Sequence, residues 1–278
     1  MRICKTSILL ALCIFITSPI SVYATSNCNH LVQTANPIVN IENQQKDIPV
    51  SSRPLKLKDL RKKYPDTFKF QGPHVQQIAL TFDDVPDSRF TPKVLDQLKR
   101  QGVKATFFIV GHRAQKHPDL VRRIHAEGHI IGNHSYTHPQ FKRRTVKQFE
   151  VEIKKTEKII ENIIGYRPKL IRPPYGEINE AQLKWAQKNG YCVVNWNVDS
   201  LDWKGLNKQQ VKKNIMKGIS PGAIVLQHAG GGTSSTLDGT VQAIPEIVQA
   251  IKKRGYKFVT LPELLHTSKA VIKKQPPN

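Results

Sequence analysis

The sequence predicts an α/β fold built on a parallel sheet, and three observations predict it. From Ile78 onward, seven short apolar segments alternate with longer amphipathic ones. The short segments, such as "IALTF", "KATFFIVG" and "GAIVLQH", are β-branched and aromatic with little polar alternation. That is how parallel strands read when helices cover their outer face. Four of the amphipathic stretches stop at Gly102, Gly128, Gly165 and Gly190, and glycine ends helices because it takes left-handed backbone angles cheaply. Seven strands and six or seven helices leave a doubly wound sheet or a (β/α) barrel. Either one gathers its active residues at the carboxyl ends of the strands.

The elements run in order along the chain. "IALTF" leads into the helix "TPKVLDQLKRQG", and "KATFFIVG" into "PDLVRRIHAEG". "HIIGN" precedes the long amphipathic "TVKQFEVEIKKTEKIIENIIG". "KLIRP" precedes "NEAQLKWAQKNG", and "YCVVNWNV" precedes "NKQQVKKNIMKG". "GAIVLQH" precedes "TVQAIPEIVQAIKKRG", and "YKFVTL" closes the series.

The chain ahead of this series has a different character. Arg2 and Lys5, the apolar run Ile8 to Ile16 and the small-residue end "VYA" form a secretory signal pattern over residues 1–24. The apolar run is short for a membrane span, and Pro19 interrupts the chain soon after it. Residues 25–70 are polar and then basic, without clear periodicity, and read as a tether or extension. The main folded domain is expected over residues 71–278. Removing the signal leaves Cys28 and Cys192, too few for a disulfide framework. Cys192 lies in an apolar run as a small hydrophobe.

The chain has 43 Lys and Arg against 21 Asp and Glu, a formal charge of +22. Outside a cell such charge suits an anionic wall polymer or a membrane surface. No ladder of aromatics accompanies the basic residues, so nucleic acid is not an expected partner.

The predicted carboxyl ends of the strands carry a polar set that the amino ends lack. Asp83 and Asp84 follow "IALTF", and His134 and His138 follow "HIIGN". Arg172 follows "KLI"; Asp199, Asp202 and Trp203 follow "VVNWNV"; His228 follows "AIVLQ". Two imidazoles and one carboxylate suit zinc or another divalent transition metal, with a coordination position to spare. Of two adjacent aspartates, one ligates and the other serves as a base, with Arg172 holding that base ionised. His228 is placed to donate a proton, with Asp199 to orient it. Taken singly, each residue has a plainer reading: a cap, a turn, a surface ion pair or rim packing. Their convergence is what points to hydrolysis of an acyl bond. His125 and His129 in "HAEGH" have no strand-end carboxylate beside them and read as structural.

These motifs together resemble the NodB-homology polysaccharide deacetylases, carbohydrate esterase family four. The resemblance covers residues 76–266 and rests on "TFDDVP" (81–86), "HSYTH" (134–138), "RPPYG" (172–176), "DSLDW" (199–203) and "LQH" (226–228), in that order. It implies a distorted (β/α) barrel of seven strands. It implies Asp83 as general base and Asp84, His134 and His138 as ligands of one metal, with zinc, cobalt or nickel all compatible. It implies Arg172 as partner of the base, and Asp199 as partner of the acid His228. Pro174, Tyr175 and Trp203 would line the substrate groove, the Tyr175 N–H would bind the oxyanion, and Leu226 would line the acetate pocket. Val85 stands where the family carries glycine, so the turn here either uses ordinary backbone angles or distorts the groove.

The expected protein is therefore an exported, monomeric, metal-dependent deacetylase of N-acetylglucosamine in an anionic cell-wall glycan, peptidoglycan first. It would associate with the wall or peripherally with a membrane. Chitooligosaccharide deacetylation, acetylxylan esterase activity and a wall-binding protein with impaired catalysis are the alternatives.

Overall fold

The structure is a computed structural model, and it describes residues 55–271. The signal pattern, Cys28 and most of the expected tether lie outside the described residues. Nine strands form the sheet: β1 (Phe68–Lys69), β2 (Gln77–Val85), β3 (Thr106–Ile109), β4 (Ile130–Asn133), β5 (Leu170–Ile171), β6 (Cys192–Val194), β7 (Val198–Asp199), β8 (Ile224–His228) and β9 (Lys257–Phe258). The helices are α1 (Leu57–Lys63), α2 (Thr91–Gln101), α3 (Gly111–Lys116), α4 (Pro118–Ala126), α5 (Val146–Ile164), α6 (Glu180–Lys188), α7 (Lys208–Gly218), α8 (Asp238–Lys253) and α9 (Leu261–Leu264).

The strand order is β1-β6-β5-β4-β3-β2-β8-β7, with β9 against the start of β2. Every strand pair is parallel. Among the described residues no ladder joins β7 to β1, so the curled sheet is an open barrel. Two strands exceed the expected seven. "YCVVNWNV" breaks at Asn195–Asn197 into β6 and β7, and β1 comes from the segment expected to be tether. Phe68 pairs with Val193, and Leu60 of α1 is fully buried. The fold therefore begins before residue 70, a correction to the sequence reading. The scattered apolar residues of "LKLKDLRKKYPDTFKF" have no period, yet Leu60, Tyr64 and Phe68 fill one cluster with Phe149 and Leu183.

Alternation along β2 separates two interiors. Ile78, Leu80 and Phe82 face outward into the helices, with Val94 and Leu98 of α2 and Ile247 and Ile251 of α8. Ala79, Thr81 and Asp83 face the barrel axis. At the amino end the axis is filled by Ala79, Phe108, Leu170, Cys192 and Ile224, closed by Leu261 and Leu264 of α9. Gly132 is required there, because a Cβ would meet the Phe108 ring at 2.5 Å. Polar side chains thus sit above an apolar floor, at the carboxyl end. The four expected helix stops, Gly102, Gly128, Gly165 and Gly190, all have positive φ.

His129 is buried and structural. Its Nδ1 accepts the Ala105 N–H at 3.1 Å, so protonating that nitrogen breaks the bond. Burial, with Lys104 adding to it, lowers its pKa to about 4. A lowered folded-state value means the unfolded chain takes up the proton first. The stability is present above pH 6.5 and is lost as pH falls toward 4. Denaturant titrations across that window should show a loss of up to about 3 kcal/mol from this group. His129→Gln, which keeps an acceptor and cannot titrate, should flatten the pH dependence; an unchanged slope would remove His129 as its source.

Candidate metal and catalytic site

The strand carboxyl ends open into a cleft of about 730 Å³. Asp83, Asp84, His134, His138, Tyr175, Asp199, Trp203, Leu226 and His228 all line it. Arg172 lies beneath, fully buried, and Pro174 is buried in the turn that carries Tyr175.

The backbone is unusual around this cleft. Asp84, Ser135, His138, Tyr175 and Leu201 all have φ between 55° and 68°. Such angles cost non-glycine residues free energy, on the order of 1–3 kcal/mol each, and persist where surrounding contacts over-determine them. Asp84 follows Asp83 through a bulge in β2, so the two carboxylates turn apart rather than alternate across the sheet. Val85 is back in the strand, paired with Ile109, and its side chain is fully buried in the outer core. The left-handed residue is Asp84, so valine in place of glycine uses ordinary strand angles.

Asp84, His134 and His138 offer ligand atoms that all lie within 4.8 Å of one another. His138 Nε2 is 3.2 Å and His134 Nε2 3.6 Å from Asp84 Oδ1. The His134 Nδ1–H donates to the Arg172 carbonyl at 2.7 Å, which leaves the Nε2 lone pair facing the cluster. Burial and the neighbouring His138 lower the His134 pKa to about 3, so this ring is neutral. Two imidazole nitrogens and a carboxylate fit a divalent transition metal.

Asp83 is buried beside this set. Its Oδ1 accepts from Arg172 Nη1 at 2.9 Å, and Oδ2 lies 3.7 Å from His134 Nε2. Burial pushes its pKa up, against the downward pull of Arg172 and His228. Arg172 also donates to Thr81 Oγ1, the Val194 carbonyl and the Asn195 carbonyl, with its guanidinium 4.2 Å from the Phe108 ring centre.

His228 pairs with Asp83 in register from β8. Its Nδ1 is 2.7 Å from Asp202 Oδ1, and its backbone N–H donates to Asp202 Oδ2 at 2.8 Å. The sequence reading gave Asp199 this role; the structure gives it to Asp202. Asp199 instead accepts the Leu201 N–H and lines the cleft. The turn at Leu201 carries the chain back, so Asp202 and not Asp199 reaches beneath the imidazole. Burial opposes a charge on His228, but Asp202 outweighs it and raises the pKa to about 9. Thr240 of α8 donates to Asp202 Oδ2 and fixes the carboxylate.

Three supports were not read from the sequence. Glu152 of α5 accepts the N–H groups of Tyr136 and Thr137 at 2.8 and 2.7 Å and the Thr137 hydroxyl at 2.8 Å. It thereby grips the loop between the two histidines. Asp87 binds Arg89 and Arg113, which in turn donate to carbonyls of Gly231, Gly232 and Thr233 in the loop after His228. Burial would raise the Asp87 pKa, but the Arg89 hydrogen bonds outweigh it and lower it. A Cβ at Gly230 would lie 2.0 Å from the Asp84 carbonyl, so that loop approaches the ligand strand only through glycine. Trp196, His112 and Arg113 complete the cleft wall. No sequence period marks these residues; Asp87 alone falls beside a recognised motif.

The fold agrees with the comparisons to known proteins. Residues 71–194 match the family described as polysaccharide deacetylase, and the chain belongs to that family. A peptidoglycan-N-acetylglucosamine deacetylase of Bacillus cereus (strain ATCC 14579) is 47% identical over 203 residues, covering 73% of each chain. The peptidoglycan-N-acetylmuramic acid deacetylase PdaA of Bacillus subtilis (strain 168) is 36% identical over 214 residues, 75% of this chain and 78% of the relative. A crystal structure of a peptidoglycan N-acetylglucosamine deacetylase, in complex with 4-naphthalen-1-yl-N-oxidanyl-benzamide, superimposes with a TM-score of 0.74 at 45% identity. It covers 77% of this chain and 98% of the other.

The grip of Glu152 on the ligand loop makes a measurable prediction. Glu152→Ala should weaken zinc affinity by about 10- to 100-fold in chelator competition. Glu152→Gln, which keeps one acceptor oxygen, should lose less. Equal zinc affinity in all three proteins would show that the loop holds without the carboxylate.

Proposed function

We propose that this protein removes the N-acetyl group from N-acetylglucosamine units of peptidoglycan, as an exported hydrolase that uses one divalent transition metal, zinc first. One observation carries the reading. A carboxylate held by a buried arginine and an imidazole held by a buried carboxylate flank an Asp–His–His ligand set in one cleft. Base, acid and electrophile are the three parts that amide hydrolysis requires.

Asp84, His134 and His138 would hold the metal, which supplies Lewis-acid polarisation of a carbonyl and of a water. Asp83 Oδ2, not engaged by Arg172, takes the proton from the attacking water. The water oxygen adds to the acetamide carbonyl carbon, and the Tyr175 N–H receives the developing oxyanion. His228 gives the Nε2 proton to the departing nitrogen, because Nδ1 is committed to Asp202. The C–N bond breaks, and acetate and a free amine leave. Leu226 provides an apolar wall for the acetyl methyl, while the exposed rings of Tyr175 and Trp203 offer faces to the sugar.

Relatives named for both peptidoglycan sugars support a wall substrate, as does the charge of +22. Acetate release from purified peptidoglycan and from chitooligosaccharides, with metal-free and zinc-loaded protein, tests the reading. Zinc-dependent release from peptidoglycan, with glucosamine as the new sugar on digestion, is expected. Muramic acid as the new sugar, or release from chitooligosaccharides alone, would reassign the substrate. His228→Ala should lower kcat by about 10²- to 10⁴-fold with zinc retained; full activity would exclude His228 as the acid.

The pH profile depends on the same pair. His228 works protonated, and its pKa is raised to about 9, so the acid is present below that pH and lost as pH rises through it. Asp202→Asn removes the charge that raises the value, and should move the alkaline limb of kcat to lower pH. An unmoved limb would assign it to another group.

A further inference from the structure

We propose that Asn195, just after β6, is a positioning residue for the hydrolysis: its side-chain amide holds the turn that presents the Tyr175 N–H to the oxyanion. This role, which rests on the deacetylase reading above, concerns residues 173–176. That turn needs a hold from outside. Tyr175 and Gly176 both take left-handed angles, with φ of 58° and 67°. Glycine does so cheaply and tyrosine does not. Pro173 and Pro174 have no N–H with which to tie the turn down. The Tyr175 ring is 60% exposed, so its burial anchors the turn little. Two bonds close the turn on itself, from the Gly176 N–H to the Pro173 carbonyl at 3.0 Å and from the Glu177 N–H to the Pro174 carbonyl at 3.2 Å. The Tyr175 N–H donates to no group among the described residues, which leaves it for a ligand.

Asn195 supplies the hold. Its Nδ2 donates to the Gly176 carbonyl at 2.9 Å, and the residue is buried. The approach is close: a Cβ on Gly176 would lie 3.1 Å from that Nδ2 and 3.0 Å from the Trp196 ring. The backbone from which the amide reaches is itself fixed on both sides. The Asn195 N–H donates to the Lys69 carbonyl of β1 at 2.8 Å, and its carbonyl accepts from Arg172 Nη2 at 3.2 Å. Arg172 is also the partner of Asp83. The turn that carries the oxyanion donor and the carboxylate that serves as base are thereby tied to one buried guanidinium.

A plainer account would have Asn195 serve stability alone, as a polar residue that ends its strand. A buried amide kept for stability has both of its ends satisfied. Asn195 Oδ1 has no hydrogen-bond partner among the described residues, and a buried acceptor left so offsets what the donor gains. The one hydrogen bond that the side chain makes goes to the turn. Released from it, Tyr175 is free to relax toward right-handed angles, and its N–H turns with the backbone. A small displacement of a group that meets the transition state is enough to slow a reaction strongly.

Two variants test this. Asn195→Leu keeps the approximate volume and removes the donor, and Asn195→Asp keeps the shape and sets a carboxylate oxygen against the Gly176 carbonyl. Each is compared with the parent, zinc-loaded, in crystal structures and in steady-state acetate release from the glycan that the parent deacetylates. Tyr175 should leave the left-handed region in either variant. The kcat should fall about 10- to 100-fold, less than the full loss of an oxyanion donor, while KM and zinc affinity stay near the parent values. A turn that keeps its left-handed angles in both variants would overturn the tie. A turn that moves while kcat holds would overturn its part in the reaction. A kcat that falls in step with zinc affinity would place Asn195 in the support of the metal ligands instead. No acetate release from the parent would overturn the deacetylase reading, and the variant crystals would still decide whether Asn195 holds the turn.

Discussion

The buried pair of Arg172 and Asp83 is the interaction on which the rest of this structure depends. A fully buried guanidinium has no water to satisfy it, and removing one partner of such a pair costs about 3–5 kcal/mol. Arg172 is satisfied from four directions: Asp83 and Thr81 of β2, and the carbonyls of Val194 and Asn195 at the end of β6. The side chain therefore bridges the barrel from β5 to β2 and fixes the spacing of strands that are not neighbours. Its own carbonyl accepts from His134 on β4's exit loop. One residue thus orients the base through its side chain and a metal-ligand candidate through its backbone. The apolar floor of Phe108, Leu170 and Val194 keeps water from competing with these bonds.

Around this pair, carboxylates without a direct place in the chemistry hold the loops. Glu152 fixes the turn between His134 and His138, Asp202 fixes His228, and Asp87 fixes the glycine loop through two arginines. Each supplies hydrogen bonds that offset local strain, since Asp84, Ser135, His138 and Tyr175 all hold left-handed angles. The arrangement explains why valine is tolerated at position 85. The bulge places the strained angle one residue earlier, and Val85 joins the outer core with Phe82 and Val94.

The molecule also divides its charge along the barrel axis. Aspartates gather at the carboxyl ends of the strands, where the helix amino ends and backbone N–H groups favour them. Lysines and arginines close several helices at their carboxyl ends, among them Lys99 and Arg100 of α2 and Lys252 and Lys253 of α8. The asymmetry is a consequence of parallel topology: every βα unit points the same way, so small local preferences for charge at helix ends add rather than cancel.

How much of this was legible in the sequence depends on the range of each interaction. The strand and helix series was legible because alternation and helix-stop glycines are local signals. The cleft set from Asp83 to His228 was legible because parallel strands send all their exits to one rim. The sequence could not choose between Asp199 and Asp202 for His228, since both come after the same strand three residues apart. The left-handed angle at Leu201 and the Thr240 hydroxyl on α8 make that choice. Nor could it assign Leu60, Tyr64 and Phe68 to the barrel, because their partners lie about a hundred residues away and leave no period. By itself the sequence determined the order of elements, the side of the sheet that is polar and the residues offered for chemistry. Only the tertiary structure decided which carboxylate meets which base, because those pairings are set by contacts between segments that have no signal in common.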